Sequence, residues 1–475
     1  MSSVPSPQAA ATPRADGLPV PRRYWSIAAI ILAVTMSVLD STIVNVALPT
    51  LARDFHASAA ASIWVVNAYQ VAILIALLPL ASLGEIVGYR RICQWGLGVF
   101  TLASLACALA PSLTALCLAR IVQGLGAAGI MSVNSALIRF TYPNAMLGRA
   151  IGINALVVAA ASAVGPTIAS AILAVAHWRW LFAVNIPIGM VAITIALFAF
   201  PASERASRRL NYAGAALQAA TFGLLISGLQ SLAQAAPIPM ALAEIGGGCI
   251  LGVFLVRHEI DRAAPLIPFD LLRQRIFSLS VATSVGSFTA QMTALVALPF
   301  EIQRVGHSAV ETGLLMTPWP VGVALAAPLA GRLADRYPAG ILGSAGLLTL
   351  AGGLTLLAFF PENGSPADLI WRMALCGLGF GFFQSPNNRI LIGSAPRARS
   401  GAAGGMLATA RLLGQTLGAA GVAILFRAVP EKGSNLALEV AAGIALAAAM
   451  VSVSRLSGDS NRSTPGAAQD PGLQA

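Results

Sequence analysis

Fourteen long apolar segments, separated by short polar stretches, account for most of the chain. They lie near residues 25–48, 61–83, 92–110, 113–137, 149–175, 180–200, 211–231, 240–256, 277–303, 309–331, 340–360, 368–390, 402–427 and 436–454. Each is long enough for a membrane-spanning helix, which needs about 20 mainly apolar residues. Polar segments at 1–23 and 457–475 flank them, with the composition of disordered tails. The pattern predicts an all-α membrane protein with 14 transmembrane helices.

Basic residues are distributed unequally between the two predicted sides of the membrane. Fourteen spans place both termini on one side, and that side collects 21 of the 29 lysine and arginine residues. The other side carries 6, while Arg120 and Arg411 fall within spans. Because cytoplasmic loops carry the excess of positive charge, both termini are predicted to be cytoplasmic. The preference for Arg over Lys, with much Ala and Gly, suggests a GC-rich bacterial genome and hence an inner-membrane protein.

A short motif recurs in the two parts of the chain. Residues 81–85 (Ala-Ser-Leu-Gly-Glu) end the second segment, and residues 331–335 (Gly-Arg-Leu-Ala-Asp) end the tenth, 250 residues later. Parallel repeats of this kind are typical of transporters. The repeat predicts a six-helix bundle over 24–203 and another over 263–456, with helices seven and eight inserted between them at 204–262.

Composition agrees with a membrane protein and excludes several other classes. Hydrophobic residues make up 57% and charged residues 10%, against about 25% charged residues in a soluble domain. The net charge of +11 comes from short clusters between apolar runs, so no nucleic-acid partner is expected. Five scattered cysteines form no metal-binding pattern, and the only lysine, Lys432, lies outside any phosphate-binding loop. No cofactor, metal or ATPase activity is predicted.

Asp40 interrupts the first apolar segment nine residues before Pro49. At 1.5 Å per residue, it lies about 13 Å from the outer end. An ionised carboxylate inside a membrane costs roughly 2.5–3.5 kcal/mol on insertion scales, so such a residue is a functional candidate. We predict that Asp40 exchanges a proton during transport. The structural alternative is a carboxylate fixed in a buried salt bridge.

Arg120 is the natural counterpart of Asp40. It lies nine residues after Pro111 on the fourth segment, which runs from the outside to the inside. The same rise per residue places it about 13 Å deep from the same face. Equal depth does not establish lateral proximity, and a purely structural role for Arg120 is the alternative.

Other polar residues within the spans are candidates for an aqueous substrate cavity, because polar side chains are disfavoured against lipid. The candidates are Asn45, Asn67, Tyr69, Gln70, Gln123, Gln291, Gln384 and Asn387. Each of them can instead form a hydrogen bond between helices. Gly165-Pro166 on the fifth segment allows close packing and a kink.

Three stretches resemble the fourteen-helix branch of drug:proton antiporters in the major facilitator superfamily. Residues 39–49 match the first-helix motif, 116–128 match the helix-four motif linked to proton coupling, and 178–189 resemble the entry to helix six. The resemblance implies the major facilitator fold and a coupling role for Asp40 and Arg120. Further residues implied in gating are Glu85, Gly88, Arg90, Gly165, Pro166, Asp335 and Arg336.

Two motifs depart from the pattern of this branch. The loop motif G-x-L-x-D-R-x-G-R has Ala81 and Glu85 at its first and acidic positions, while Gly88 and Arg90 are kept. The antiporter motif on helix five has Ala169-Ser170 where two glycines are usual.

The sequence therefore predicts a proton-coupled exporter of small lipophilic, often cationic, compounds that works by alternating access as a monomer in the lipid bilayer. Its partners would be a small-molecule substrate and protons. The main alternative is an exporter or importer of one metabolite. A membrane enzyme such as a prenyl transferase needs clustered aspartates for magnesium, and no D-x-x-D or D-D pair occurs. A membrane sensor would usually carry a sizeable soluble domain.

Overall fold

The computed structural model describes residues 17–143, 146–201, 210–233, 237–260, 262, 267, 269–334, 336–361, 364–394, 400–430 and 432–455. Within these ranges the regular structure consists of α-helices. They are α1 (Arg22–Asp54), α2 (Ala59–Ser62), α3 (Trp64–Val87), α4 (Tyr89–Ala108), α5 (Leu113–Thr141), α6 (Leu147–Val175), α7 (Trp180–Ala183), α8 (Asn185–Ala199), α9 (Tyr212–Ala233), α10 (Ile238–Glu259), α11 (Phe269–Leu272), α12 (Arg275–Arg304), α13 (Ala309–Met316), α14 (Pro318–Leu333), α15 (Ala339–Ala358), α16 (Pro366–Gly393), α17 (Ser400–Ala428) and α18 (Gly433–Val453).

Thirteen stretches of the described chain are long and apolar enough to cross a membrane. In this count α2 with α3, α7 with α8, and α13 with α14 each form one span. α16 has the length, at 28 residues, but Gln384, Asn387 and Asn388 lower its hydropathy. The prediction of an all-helical, multi-pass membrane fold is confirmed, whereas the number of fourteen spans is not.

The connections between helices lie at two opposite ends of the bundle. The Asp54 end comprises residues 54–58, 109–112, 176–179 and 305–308. The Arg90 end comprises residues 17–21, 88–90, 141–143 and 200–201. At the Asp54 end, the indole Nε1 of Trp178 donates to the Asp54 carboxylate at 2.6 Å. At the Arg90 end, the N–H of Leu18 donates to the Thr141 carbonyl at 3.0 Å. Hydrogen bonds therefore join separate connections at each end.

Serine side chains begin four helices of the bundle. Ser58, Ser112, Ser308 and Ser365 each accept a hydrogen bond from the backbone N–H three residues ahead, at 3.1 to 3.2 Å. Such caps satisfy N–H groups that a helix start would otherwise leave unpaired. Ser58 and Ser308 are 250 residues apart, the spacing of the sequence repeat.

Close glycine contacts extend the repeat into three dimensions. A Cβ atom on Gly124 of α5 would lie 2.5 Å from the carbonyl oxygen of Tyr69 on α3. A Cβ atom on Gly377 of α16 would overlap the carbonyl oxygen of Trp319 on α14. Gly377 lies 253 residues after Gly124, and Trp319 lies 250 residues after Tyr69. By position in the repeat, α5 therefore corresponds to α16 and α3 corresponds to α14.

The same offsets relate α1 and α6 of the first repeat to α12 and α17 of the second repeat. A Cβ atom on Gly165 of α6 would overlap the side chain of Thr42 on α1. Its counterpart Gly418 on α17 faces Met292 on α12, whose Cβ would lie 3.0 Å away. α1 therefore matches α12, and α6 matches α17. In addition, α9 packs against α10 and also contacts α3 and α17, which belong to different repeats.

Candidate functional site

Asp40 and Arg120 form an ion pair inside the first repeat. The Nη1 atom of Arg120 on α5 donates to Oδ2 of Asp40 on α1. Each residue is 1% exposed. The equal depth inferred from the sequence is thus accompanied by direct contact, which the sequence alone left open.

The second oxygen of Asp40 accepts two more hydrogen bonds. Oδ1 accepts from Nε2 of Gln123 at 2.9 Å and from Nδ2 of Asn185 at 3.0 Å. Gln123 lies one helical turn after Arg120 on α5, and Asn185 begins α8. Every one of these groups donates to Asp40, which suits an ionised carboxylate because that group only accepts hydrogen bonds.

Arg120 has further partners besides the carboxylate. Its Nε donates to the Val65 carbonyl at 3.0 Å, and its Nη1 donates to Oε1 of Gln123 at 2.6 Å. The guanidinium carbon lies 4.0 Å from the centre of the Tyr69 ring, within cation–π range. The arginine therefore keeps neutral partners when the charge on Asp40 is removed.

The second repeat builds the same architecture without this ion pair. By the offsets above, Asp40 corresponds to Ala290 and Arg120 corresponds to Met373. Both residues are fully buried, at 0% exposure. Since apolar residues fill these places in one half, helix packing in this fold does not require charge there.

A small cavity, here called the central cavity, lies between the first repeat and α17 of the second repeat. Its volume is about 20 Å³, room for about one water molecule. Tyr69 lines the cavity, and its ring also lies against Arg120. The residues that line it are Ser37, Val38, Ser41, Tyr69, Gln70, Ile73, Met131, Arg411, Leu412 and Gln415. All except the last three, which lie on α17, belong to the first repeat.

Several buried amide groups on α1 and α3 lack hydrogen-bond partners among the described residues. They are Oδ1 of Asn45, both amide atoms of Asn67, and Oε1 of Gln70. The exposures of these residues are 4%, 0% and 4%. A buried polar group without a partner costs about 1–3 kcal/mol, so water or a bound solute at this position would lower the energy.

The remaining predicted cavity residues lie elsewhere. Gln123 belongs to the Asp40 network, and Gln291 and Gln384 are half-buried on α12 and α16 without lining this cavity. Asn387 donates to Ser284 Oγ at 2.7 Å and accepts from Arg455 at 2.7 Å. Of the eight predicted residues, the structure places Tyr69 and Gln70 on the central cavity.

The predicted gating residues of the first repeat lie at the Arg90 end. Gly88 ends α3 with φ +109°, a conformation that L-residues with a Cβ rarely adopt. Arg90 donates to the carbonyl oxygens of Leu197 and Phe200, which ties the start of α4 to the end of α8. Glu85 is half-buried in the last turn of α3.

Gly165 and Pro166 lie within α6 where it contacts α1. In the second repeat, Arg336 is exposed next to the end of α14. Asp335 lies outside the described residues. The gating role of all seven residues stays a prediction.

Two residues of the site were missed in the sequence. Asn185 lies in the motif at 178–189, but nothing in one sequence shows that its amide reaches Asp40. Arg411 is charged and within a span, the same signal that singled out Arg120. Which face of α17 it occupies depends on how the two repeats dock. In the described part of the chain, no group of three His, Cys, Asp or Glu side chains could hold a metal ion.

Comparisons with known proteins agree with this architecture. Residues 30–419 match the model of the Major Facilitator Superfamily. The chain is 52% identical over 446 residues to the uncharacterized transporter YebQ of Escherichia coli strain K12, covering 93% of this chain and 98% of that protein. It is 32% identical over 394 residues to the multidrug resistance protein Stp of Mycobacterium tuberculosis, covering 82% of this chain and 73% of that protein.

A solved structure shows the same fold. It is the crystal structure of a bacterial homologue of the human lysosomal transporter Spinster, inward-facing and unoccupied. The TM-score is 0.63 at 16% identity, covering 95% of this chain and 100% of the other. At this identity, the likeness concerns the fold alone.

Proposed function

The chain belongs to the Major Facilitator Superfamily and is a multi-pass membrane transporter of small molecules, and from this premise we propose that it is a proton-coupled exporter. Its substrates are small lipophilic compounds, and it works as a multidrug antiporter by alternating access. The relative Stp, 32% identical, is named a multidrug resistance protein, which supports export.

The asymmetry of the ion pair between the repeats carries the proposal. Asp40 and Arg120 occupy buried positions that Ala290 and Met373 fill in the second repeat. A buried ion pair is weak evidence for stability, because desolvation offsets much of its attraction. A pair that the fold does not need is better explained by function, and a buried carboxylate is suited to carry a proton.

Proton uptake by Asp40 would require the network to rearrange. Oδ1 already accepts two hydrogen bonds, so a proton on that oxygen displaces Gln123 or Asn185. A proton on either oxygen removes the negative charge that Arg120 faces. Arg120 would then rely on Gln123, the Val65 carbonyl and the Tyr69 ring. Because Tyr69 also lines the central cavity, this rearrangement links the proton site to the substrate path.

The proton gradient supplies the energy. Each proton that enters down a potential of 100 mV provides about 2.3 kcal/mol, and a pH gradient adds to it. The central cavity would be the closed form of the substrate path, and the unpartnered amides of Asn67 and Gln70 would meet water or substrate when it opens.

The proposed architecture has fourteen spans, with α16 as the additional one. It packs against both α14 and α15, and each of these belongs to a stretch that is apolar enough to span a membrane. The halves 24–203 and 263–456 would rock about the cavity, with 204–262 as an insert. Both termini would be cytoplasmic in a bacterial inner membrane. We propose that the protein acts as a monomer and has no enzymatic activity.

The test is transport by the purified protein in proteoliposomes with an imposed pH gradient. Wild type should accumulate a lipophilic probe against its gradient, and Asp40→Asn should not. Glu301→Gln removes a carboxylate at the Asp54 end and serves as the control. If Asp40→Asn accumulates the probe as well as wild type does, the coupling role of Asp40 is wrong.

A further inference from the structure

Arg411 is a cation on the central cavity that has no carboxylate partner among the described residues. It lies on α17 and is half-buried. Its Nε has no hydrogen-bond partner in the described part of the chain. None of the ion pairs within the described ranges includes it.

Asp40, an acid of the first repeat that lies within a span, is already engaged by other side chains. Both oxygens of Asp40 accept hydrogen bonds from Arg120, Gln123 and Asn185, and the carboxylate is 1% exposed. Asp40 does not line the cavity that Arg411 lines. The described lining of that cavity contains no acidic side chain, so it carries net positive charge.

Helix packing does not require a charged residue at position 411. By the offset of 253 residues between α6 and α17, Arg411 corresponds to Val158, an apolar residue of α6. A charged side chain in the membrane interior is costly. A cation without a carboxylate partner among the described residues at such a place is best stabilised by an anion that arrives from outside the protein.

The surroundings define the shape and chemistry of that anion. An arginine presents several N–H donors in a planar fork, which matches a carboxylate or a sulfonate. Gln70 and Gln415 add amide groups beside it, while Ile73, Met131 and Leu412 provide an apolar wall. The site suits a compound with one anionic group on an apolar body.

We propose that Arg411 is the residue that selects substrates with a carboxylate or sulfonate group in the central cavity. This inference rests on the proposed function, since the cavity must open as the substrate path. It narrows the substrate class to amphipathic anions, in contrast to the cations expected from the resemblance to drug:proton antiporters.

The experiment compares one anionic and one cationic probe. Radiolabelled taurocholate carries a sulfonate on an apolar body, and tetraphenylphosphonium carries a positive charge on an apolar body. Equilibrium binding is measured on the full-length protein in nanodiscs, and transport is measured in proteoliposomes with a pH gradient. The variants are Arg411→Gln, Arg411→Lys and the control Arg372→Gln, which removes a cation that is ion-paired with Asp368 outside the cavity.

The affinity for taurocholate is expected to fall roughly tenfold to hundredfold in Arg411→Gln, the range for the loss of a charge-assisted hydrogen bond. Tetraphenylphosphonium binding should stay within twofold or increase. Arg411→Lys should restore part of the taurocholate affinity, and Arg372→Gln should match wild type.

Two outcomes overturn the inference. One is wild type that does not bind taurocholate, and the other is Arg411→Gln that binds it as tightly as wild type. Failure of the proposed function would give a different experimental result from failure of this inference. In that case wild type binds taurocholate in an Arg411-dependent manner, but a pH gradient drives neither probe across the membrane.

Discussion

Neutralising Asp40 should destabilise the protein mainly by leaving Arg120 as an uncompensated buried charge. Asp40→Asn keeps the size of the side chain but removes the partner of a guanidinium that is 1% exposed. The new amide also offers a single acceptor oxygen where the carboxylate serves Arg120, Gln123 and Asn185. The prediction follows from burial and from the hydrogen bonds of both oxygens.

The expected magnitude comes from the behaviour of buried ion pairs. Removing one partner of such a pair typically costs about 3–5 kcal/mol, whereas replacing both partners with well-packed apolar residues is often close to neutral. Asp40→Asn and Arg120→Gln should therefore each lower the free energy of unfolding by about 3 kcal/mol or more. The double variant leaves no unpaired charge, so it should lower the free energy of unfolding by no more than either single variant does. The coupling energy between the two residues is then about 3 kcal/mol or more.

The assay is unfolding by sodium dodecyl sulfate in mixed micelles at neutral pH, followed by tryptophan fluorescence. Glu301 and Arg304 form the control pair at 2.7 Å, with side chains 13% and 44% exposed. A surface pair of this kind contributes about 0–1 kcal/mol. The reasoning would be refuted if Asp40→Asn and Arg120→Gln lowered the free energy of unfolding additively, with a coupling energy like that of the control pair.

Three further predictions concern the gating residues and the orientation in the membrane. Gly165→Ala should lower the free energy of unfolding by about 1–3 kcal/mol, because the new methyl group overlaps the facing threonine of α1. Gly98 has open space around it, so Gly98→Ala should be neutral or stabilising in the same unfolding assay. Equal losses of unfolding free energy in Gly165→Ala and Gly98→Ala would contradict the packing argument. Gly88→Ala should lower the free energy of unfolding by about 1–3 kcal/mol, since alanine rarely adopts its φ of +109° and ψ of +132°. An unchanged unfolding midpoint would show that the backbone relaxes. In a cysteine-free background, a membrane-impermeant maleimide should label Arg336→Cys from the cytoplasmic side and Ser308→Cys from the opposite side, and labelling of both from one side would contradict the proposed topology.

The depth of the ion pair could be read from the sequence, but its surroundings could not. Rise per residue along single helices places Asp40 and Arg120 at one level. Their contact depends on α1 and α5 being neighbours, which follows from tertiary packing. Asn185 reaches the same carboxylate from α8, and no periodicity within one helix reveals that.

The interface between the repeats was the least predictable part. Asn387 was a reasonable cavity candidate because it is a polar residue in an apolar helix. In the structure it faces Ser284 and Arg455 instead, since the rotation of α16 is set by its packing on α14 and α15. For the same reason Arg411 could be recognised as a charge within a span but not assigned to the cavity.

The central claim is that Asp40 couples proton movement to substrate movement, and one measurement separates coupling from transport itself. Proteoliposomes that contain a pH-sensitive dye are used to record proton flux on addition of substrate, alongside substrate exchange without any gradient. Asp40→Asn is predicted to retain substrate exchange while substrate-induced proton flux disappears, and Asp40→Glu should retain both. Proton flux in Asp40→Asn at the wild-type ratio to substrate would contradict the account.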